Sequence, residues 1–495
     1  MIKDIQKKIL LKYPLIWNTK FVPMLIIGVL FNILYFVIGF LNGNIDFSGR
    51  RNYDGETTAI MFGILLSILT TIVWLVYYFK NNALKSFYSK SKNALFYEWL
   101  QIFIISFLLI SFYIPFSIGK QIHERNYFSE SEATKRCETI ALADIFIDGY
   151  FDPTEVDSTT SILKDTIIDG EYRYAQLFYK DSMKFQGKKY AQYSLLNRRA
   201  YDFSLISKEK DSLNNIEVKK WLVDNQQHKI KDLMNNYLKI VNEHNLKNNL
   251  TTEKWFEEVY NHPHFTNFSY IRPYFEEFEA DKSYESYKDG IITSWPKSEN
   301  QNKYSSLFVQ QDILKSKYDI VSKAHTNPFI EYEGLLVFLC CALGLSILIF
   351  SFRVTSGKSW LIAVVTVGVL NILFGILTIF FSSELTYFYL ALLTFIIFKI
   401  YFIKIYVDKK GLGLSRIVLN VLLWSFPFMI PIIYGLIMQY YQSYEYSRGI
   451  DYISKEYRWL RDNFLNMLTV NLIICIIVLL TMSRIIRTWK GIAEE

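Results

Sequence analysis

Residues 21–41 read FVPMLIIGVLFNILYFVIGFL and carry no charged side chain over 21 consecutive positions. A helix needs about 20 mostly apolar residues to cross the hydrocarbon of a bilayer. Seven further runs meet or approach that requirement: 58–79, 99–118, 335–352, 360–381, 385–403, 417–438 and 467–482. Any one of them alone could be the buried helix of a water-soluble core. Eight in a chain of 495 residues, 51% of them hydrophobic, make that reading untenable. The fold expected is an all-α polytopic membrane protein with eight transmembrane helices. Twenty residues rich in Lys precede the first run, which has full spanning length, and no small-residue cleavage site follows it, so the first span is expected to act as its own insertion signal.

Charge orients the spans. Outside residues 119–333 there are 25 Lys and Arg, and the eight spans sort 19 of them onto the side that holds both ends of the chain. Six fall opposite: Arg50, Arg51, Arg448, Lys455, Arg458 and Arg461. The basic side of a membrane protein faces the cytoplasm, so both termini are expected inside and 119–333 outside. Five parts follow: a cytoplasmic amphipathic segment (1–20), spans one to three (21–118), an exoplasmic domain (119–333), spans four to eight (334–485) and a cytoplasmic tail (486–495). The domain holds 29 basic and 34 acidic residues, a net of −5, which leaves +12 on the remainder of a chain of net +7. Its basic balance is thus a topology signal. With no basic, aromatic-interleaved patch in the domain, nucleic acid is excluded as a partner. Only one of the four cysteines, Cys137, lies in the domain, so no disulfide can form within it. A disulfide-free exoplasmic domain of this size points to a bacterial inner (cytoplasmic) membrane, with a periplasmic-type compartment outside.

Within the domain, Gln121–Ile147 continues span three as a helix. Tyr172–Tyr179 and Lys184–Leu196 read as strands, with a turn at Gly187. Apolar residues at intervals of three and four predict a helix over Val218–Asn248. Thr252, with Glu253 behind it, marks a further helix start, and another helix is expected over Lys303–Ala324. The domain is therefore mostly helical with a small sheet, an α+β unit. At the front of the chain, Ile2, Ile5 and Ile9 share one helical face against Lys7, Lys8 and Lys12, the pattern of an interfacial helix.

Catalytic and metal-binding signals are weak. Gly357-Lys358-Ser359 resembles the end of a phosphate-binding loop, but position 352, where that pattern needs Gly, is Phe. No ATPase or other catalytic motif is found, so the chain is expected not to be an enzyme and to need no cofactor. His262-Pro263-His264 has no Cys or carboxylate at ligand spacing, and the acidic run Glu276, Glu277, Glu279 and Asp281 reads as a solvated face; no metal is expected. Lys399 is the one Lys, Arg, Asp, Glu or His inside the spans as delimited, which disfavours a proton-driven pump. Span seven carries Pro427 and Pro431, with Gly435 beyond, and these three are hinge candidates. The segment Gln439–Asn466 follows as an exoplasmic loop suited to the headgroup layer, with Tyr440, Tyr441, Tyr444, Tyr446 and Trp459 among its aromatics.

From span three onward, the order of one span, an exoplasmic domain, five spans and an aromatic segment before the last resembles the permease subunit of an ATP-binding-cassette exporter. The resemblance is one of architecture, without a diagnostic motif. It departs from the pattern in its two extra leading spans and in the short turn Arg353–Lys358, where a coupling helix would stand. It implies an exporter membrane subunit for an amphipathic or lipid-like substrate. The partners implied are the lipid bilayer, a separate nucleotide-binding ATPase subunit and a second copy of the chain. The rival class is a non-transporting sensor or scaffold whose exoplasmic domain binds a ligand or partner.

Protease added to right-side-out membranes should cleave within 119–333 and leave the spans intact; complete protection of that domain would reverse the orientation. Cys137, if exposed, should also react with an impermeant thiol reagent.

Overall fold

The computed structural model describes residues 14–49, 55–80, 92–147, 150–151, 167–168, 171–172, 182–191, 194–265, 268–273, 304–383, 385–408, 413–446 and 454–488. The interfacial helix expected before Pro14, the acidic run at 276–281 and most of Tyr172–Tyr179 lie outside these residues. In chain order the helices are α1 (Pro14–Asn18), α2 (Phe21–Asn42), α3 (Gly55–Lys80), α4 (Ala94–Ile110), α5 (Tyr113–Arg125), α6 (Glu130–Asp144), α7 (Lys208–Val223), α8 (Gln227–Glu243), α9 (Thr252–Val259), α10 (Gln311–Thr326), α11 (Tyr332–Val354), α12 (Gly357–Phe380), α13 (Leu385–Asp408), α14 (Gly413–Tyr446), α15 (Lys455–Asp462) and α16 (Phe464–Thr488). The chain divides into two units. One comprises Met1–Asn42, Gly55–Gly119 and Phe329–Glu495; the other comprises Gly43–Asp54 and Lys120–Pro328.

The first unit is a multi-pass membrane block. Seven of its helices, among the described residues, are long and apolar enough to cross a bilayer, namely α2, α3, α11, α12, α13, α14 and α16. Their outward faces are apolar: Leu30, Leu65, Ile372 and Ile379 are all more than half exposed. Water would not tolerate such a surface, since soluble monomers rarely expose apolar patches beyond a few hundred Å².

Span three, expected as one helix, is broken. Helices α4 and α5 meet at a bend of 41°. The cause is Pro115, which has no N–H to offer the carbonyl of Ser111 and whose ring crowds that carbonyl. Ile114 bonds to Ser111 instead, three residues back. The bent pair still runs the whole length of α2. Thr19 Oγ1 donates to Gln101 Oε1 (2.6 Å), and Asn32 Nδ2 donates to the Leu108 carbonyl (2.8 Å). Further along, a Cβ on Gly39 would collide with the Phe116 backbone, and one on Gly119 with the Phe36 backbone. Glycine is required there because two helix backbones approach closely, the usual small-residue packing of membrane helices.

Lys399 is not the sole charge in the bundle. Glu98 on α4 and Arg353 on α11 are 1% and 4% exposed and form an ion pair, with Arg353 Nε 3.1 Å from Glu98 Oε1. Tyr78 OH on α3 (2.8 Å) and Asn18 Nδ2 on α1 (3.2 Å) donate to the same oxygen. Arg353 is thus not a turn residue: α11 extends through Val354, and Ser356 caps α12 by accepting from Ser359 N (3.2 Å). Gly357-Lys358-Ser359 forms the first turn of a spanning helix.

In the second unit the loop Gly43–Asp54 joins the large domain, an addition to the 119–333 boundary read from sequence. Ile45 N donates to Tyr127 OH (2.8 Å), and Phe47 stacks on His244 at 4.4 Å. The predicted helix over Val218–Asn248 is two helices, α7 and α8, parted at Asp224–Gln226, where Asn225 takes a positive φ of 54°. Thr251, one residue before the expected Thr252, caps α9 by accepting from Lys254 N. The helix expected over Lys303–Ala324 begins as a strand. Tyr304–Val309 pairs in parallel with Tyr270–Pro273, because Tyr304, Phe308 and Val309 are β-favouring side chains, and α10 starts only at Gln311. The predicted turn at Gly187 closes an antiparallel hairpin of Ser182–Phe185 with Lys188–Ala191, positive φ at both Gln186 and Gly187 matching the twist of the strands. Two more short antiparallel pairs, Tyr150–Phe151 with Arg198–Arg199 and Ile167–Ile168 with Glu171–Tyr172, bring the described strands to four separate two-stranded sheets in place of one small sheet. The core gathers Trp255, Tyr237, Phe146, Phe203 and Tyr318. Cys137 is fully buried in it, and burial pushes its thiol up to about 12. The expectation that it could report topology from the surface is therefore overturned.

Arg353→Met leaves the Glu98 carboxylate buried without its cation and should lower stability by about 3–5 kcal/mol. Glu98→Gln/Arg353→Met, which removes both charges, should recover most of that loss. Unfolding of the purified variants in detergent measures both, and an equal loss in the double variant would mean that the pair is not coupled.

Candidate functional site

Helices α12, α13 and α14, with Phe464 of α16, enclose a cavity of about 910 Å³. Each wall is a helical stripe: Val367, Leu370, Asn371 and Phe374 on α12; Tyr387, Phe388, Ala391, Thr394, Phe395 and Phe398 on α13; Val421, Trp424, Ser425, Phe428, Met429, Pro431, Ile432, Gly435, Leu436 and Gln439 on α14. Spacings of three and four place these side chains on one face of each helix. From Val421 to Gln439 the stripe rises about 27 Å at helical pitch, close to the full thickness of the hydrocarbon. The cavity is therefore a slot running along the spans.

Its polarity is uneven. At the end that holds Gly413, the walls are Val367, Phe395, Phe398, Val421 and Trp424. The polar atoms there are already engaged. Trp424 Nε1 donates to Ser351 Oγ on α11 (2.8 Å), and Ser425 Oγ donates to the Val421 carbonyl (2.7 Å). At the other end, which holds the α12–α13 turn, the lining includes Ser383 and Gln439. Between them Tyr387 OH donates to Asn371 Oδ1 (2.6 Å), tying α12 to α13. A slot of this size, mostly apolar with a few polar groups at one end, has the character of a small-molecule site.

The hinge candidates belong to this wall. Pro431 and Gly435 line the slot, and Pro427 lies one turn away on α14, which is assigned as helix without interruption from Gly413 to Tyr446. Pro431 has no N–H for the carbonyl of Pro427, four residues before it. That carbonyl accepts instead from Asn471 Nδ2 of α16 (2.9 Å), a buried side chain. A Cβ on Gly435 would meet nothing within 4 Å, so its glycine serves to leave room in the slot.

The expected loop Gln439–Asn466 is corrected. Residues 439–446 are the last turns of α14, and 455–462 form α15. Tyr440 and Tyr441 stand in α14 with rings 5.6 Å apart, and Trp459 stands exposed on α15. Tyr444 and Tyr446 fall in α14, their side chains outside the described residues. Tyr440, Tyr441 and Trp459 do not line the cavity. Sequence reading noted Asn371 only as a polar residue within a span and missed Tyr387 and Trp424, although the aromatics Tyr387, Phe388, Phe395 and Phe398 at helical spacing on α13 were a visible signal.

The densest polar cluster of the second unit is closed. Arg136 bonds Glu243 with both carboxylate oxygens (2.9 and 3.0 Å) and donates to Tyr318 OH (3.1 Å), and His244 Nε2 lies 2.9 Å from the same hydroxyl. Burial raises Tyr318 and lowers His244, so the imidazole is held neutral. Its donors and acceptors are spent on one another, which is the behaviour of a packing element. His262 and His264 lie in a turn, and no group of three potential metal ligands converges among the described residues.

Comparison with protein-family models, curated proteins and solved structures found no match to this chain.

Asn471→Ala orphans the Pro427 carbonyl and should cost about 1 kcal/mol, the scale of interhelical hydrogen bonds in membranes. Pro431→Ala returns the missing N–H to that carbonyl. In the Pro431→Ala background, Asn471→Ala should therefore be nearly neutral. A double-mutant cycle by unfolding in detergent decides it; an undiminished cost would show that Asn471 acts elsewhere.

Proposed function

We propose that the chain is the membrane subunit of an exporter driven by a separate ATPase, and that its substrate is an amphipathic or lipid-like molecule. The observation that carries this reading is the slot between α12, α13 and α14. It is as long as the hydrocarbon is thick, apolar along most of its length and polar at one end, which is the shape and polarity of a lipid-like molecule rather than of a soluble metabolite. The bundle otherwise spends its buried charge on a structural ion pair, which leaves the work of transport to an outside energy source.

In this reading α4 and α5 act as one bent crossing, the eighth, because the pair accompanies α2 from Thr19 to Gly39. The helix ends that eight crossings put on one face do meet. Glu98, Tyr78, Asn18 and Arg353 bring together the ends of α1, α3, α4 and α11, and Arg484 of α16 donates to Asn93 beside α4 (2.9 Å). The excess of Lys and Arg makes this the cytoplasmic face. The polar end of the slot then belongs to the outer side. The segment 80–93, before α4, and the N-terminal residues are the largest cytoplasmic stretches, and the ATPase docks there.

Pull-down in mild detergent should recover a nucleotide-binding subunit with this chain. Gly435→Leu, which fills the slot without touching the backbone of a neighbour, should leave that complex intact and reduce export more than tenfold. If no ATPase is recovered and ATP depletion leaves the associated phenotype unchanged, the non-transporting sensor or scaffold reading replaces this one.

A further inference from the structure

Helix α15 stands at the polar end of the slot. Ser454 caps it, accepting from Tyr457 N (3.1 Å). It is fastened from below: Tyr434 OH of α14, the neighbour of Gly435, donates to the Leu460 carbonyl (2.6 Å), and Leu460 is buried. Two residues beyond its end, Phe464 is itself a wall of the slot, with its ring 6.3 Å from that of Tyr434. Phe464 thus lines the slot two residues after α15 ends, and Tyr434, which fastens α15, is the chain neighbour of the slot residue Gly435.

Its free face is basic. Lys455, Arg458 and Arg461 recur every third residue, so they share one side of the helix, and all three are exposed. Arg461 pairs with its neighbour Asp462 (3.3 Å), while Lys455 and Arg458 have no carboxylate partner among the described residues. Trp459, 62% exposed beside them, has the amphipathic ring typical of the headgroup layer. The location is unusual for such charges. Lys and Arg are depleted on the outer side of membrane proteins, yet three of the six that the span count places there outside the large domain sit on this one short helix.

We propose that the slot takes a lipid whose headgroup carries net negative charge at a phosphate, with the apolar tail along α14 and the phosphate against Lys455, Arg458 and Arg461. This rests on the reading of the slot as a site for an amphipathic molecule, and not on the ATPase. Charge complementarity selects the headgroup. A guanidinium presents paired N–H donors to phosphate oxygens, and an ammonium adds a point charge. Gln439 and Ser383, in the lining at the polar end, suit the ester or glycerol region of such a lipid. The exposed cations act through partly screened charge, so the selection weakens as salt rises.

The test uses the purified full chain in detergent, offered phosphatidylglycerol and phosphatidylcholine with identical tails, with retained lipid counted by native mass spectrometry. Wild type should retain phosphatidylglycerol preferentially. Each cation removed should cut that preference about fivefold, so Lys455→Gln/Arg458→Gln should lower it about 25-fold with an unchanged melting temperature. Gly435→Leu should reduce retention of both lipids and leave their ratio intact. An unaltered preference in Lys455→Gln/Arg458→Gln, with Gly435→Leu still lowering both, overturns the headgroup assignment and leaves the slot standing. Unaltered retention of both lipids in Gly435→Leu overturns the slot itself. Displacement of phosphatidylglycerol by millimolar inorganic phosphate would show that α15 reads a free anion and not a lipid, and would also overturn the proposal.

Discussion

Hydrocarbon offers no hydrogen-bond partner, so every polar group in the first unit must find its partner within the protein. That constraint shapes each notable feature of the bundle. Asn32 reaches the Leu108 carbonyl, Asn471 reaches the carbonyl that Pro431 cannot serve, and Trp424 turns its indole N–H to Ser351 so that only its ring faces the slot. A slot with apolar walls results from polar atoms being satisfied behind them. Pro115 obeys the same rule from the other direction: deprived of one helical bond, the chain bends 41° between α4 and α5 and re-forms a tighter bond at Ile114.

Glu98 is the most demanding case. A lone carboxylate at this depth would cost far more than a helix–helix contact returns, and three donors from α1, α3 and α11 converge on one of its oxygens. The arrangement is a device of registry. It specifies which turn of α11 faces which turn of α4, and places the ends of α1 and α3 against the same point. The close glycine contacts between α2 and α5 then settle the opposite end. With α2, α3, α4, α5 and α11 held in this way, α12, α13 and α14 pack on one another through ring pairs such as Trp360 with Trp424 and Phe374 with Tyr387, and leave the slot between them. An apolar slot between spans is what a lipid-like ligand can occupy.

The second unit solves a different problem. Without a disulfide it relies on an apolar core built around Trp255 and Tyr237, and on the closed polar cluster of Arg136, Glu243, Tyr318 and His244. The loop Gly43–Asp54, which leaves the bundle between α2 and α3, adds Phe47 to that cluster. This is a long-range contact that no local pattern announces.

The amino-acid sequence by itself determined the class of this protein. Runs such as 21–41 have no stable place except a bilayer, and hydropathy is a local, additive property that needs no tertiary contact to be read. The capped helix at Thr252 and the hairpin turn at Gly187 were legible for the same reason, with the cap one residue out. The candidate site was legible only in fragments: Pro427, Pro431 and Gly435 signalled α14, but not that Asn471 would serve the freed carbonyl or that Gly435 would open a slot. The break at Pro115 was written in the sequence and overridden in reading by the apolar run around it. Tyr304–Val309 became a strand because Tyr270–Pro273 lay beside it, and Glu98 and Arg353, which sit at the ends of apolar runs 255 residues apart, became a buried pair. Partners distant along the chain are chosen by packing, so only the tertiary structure could decide them.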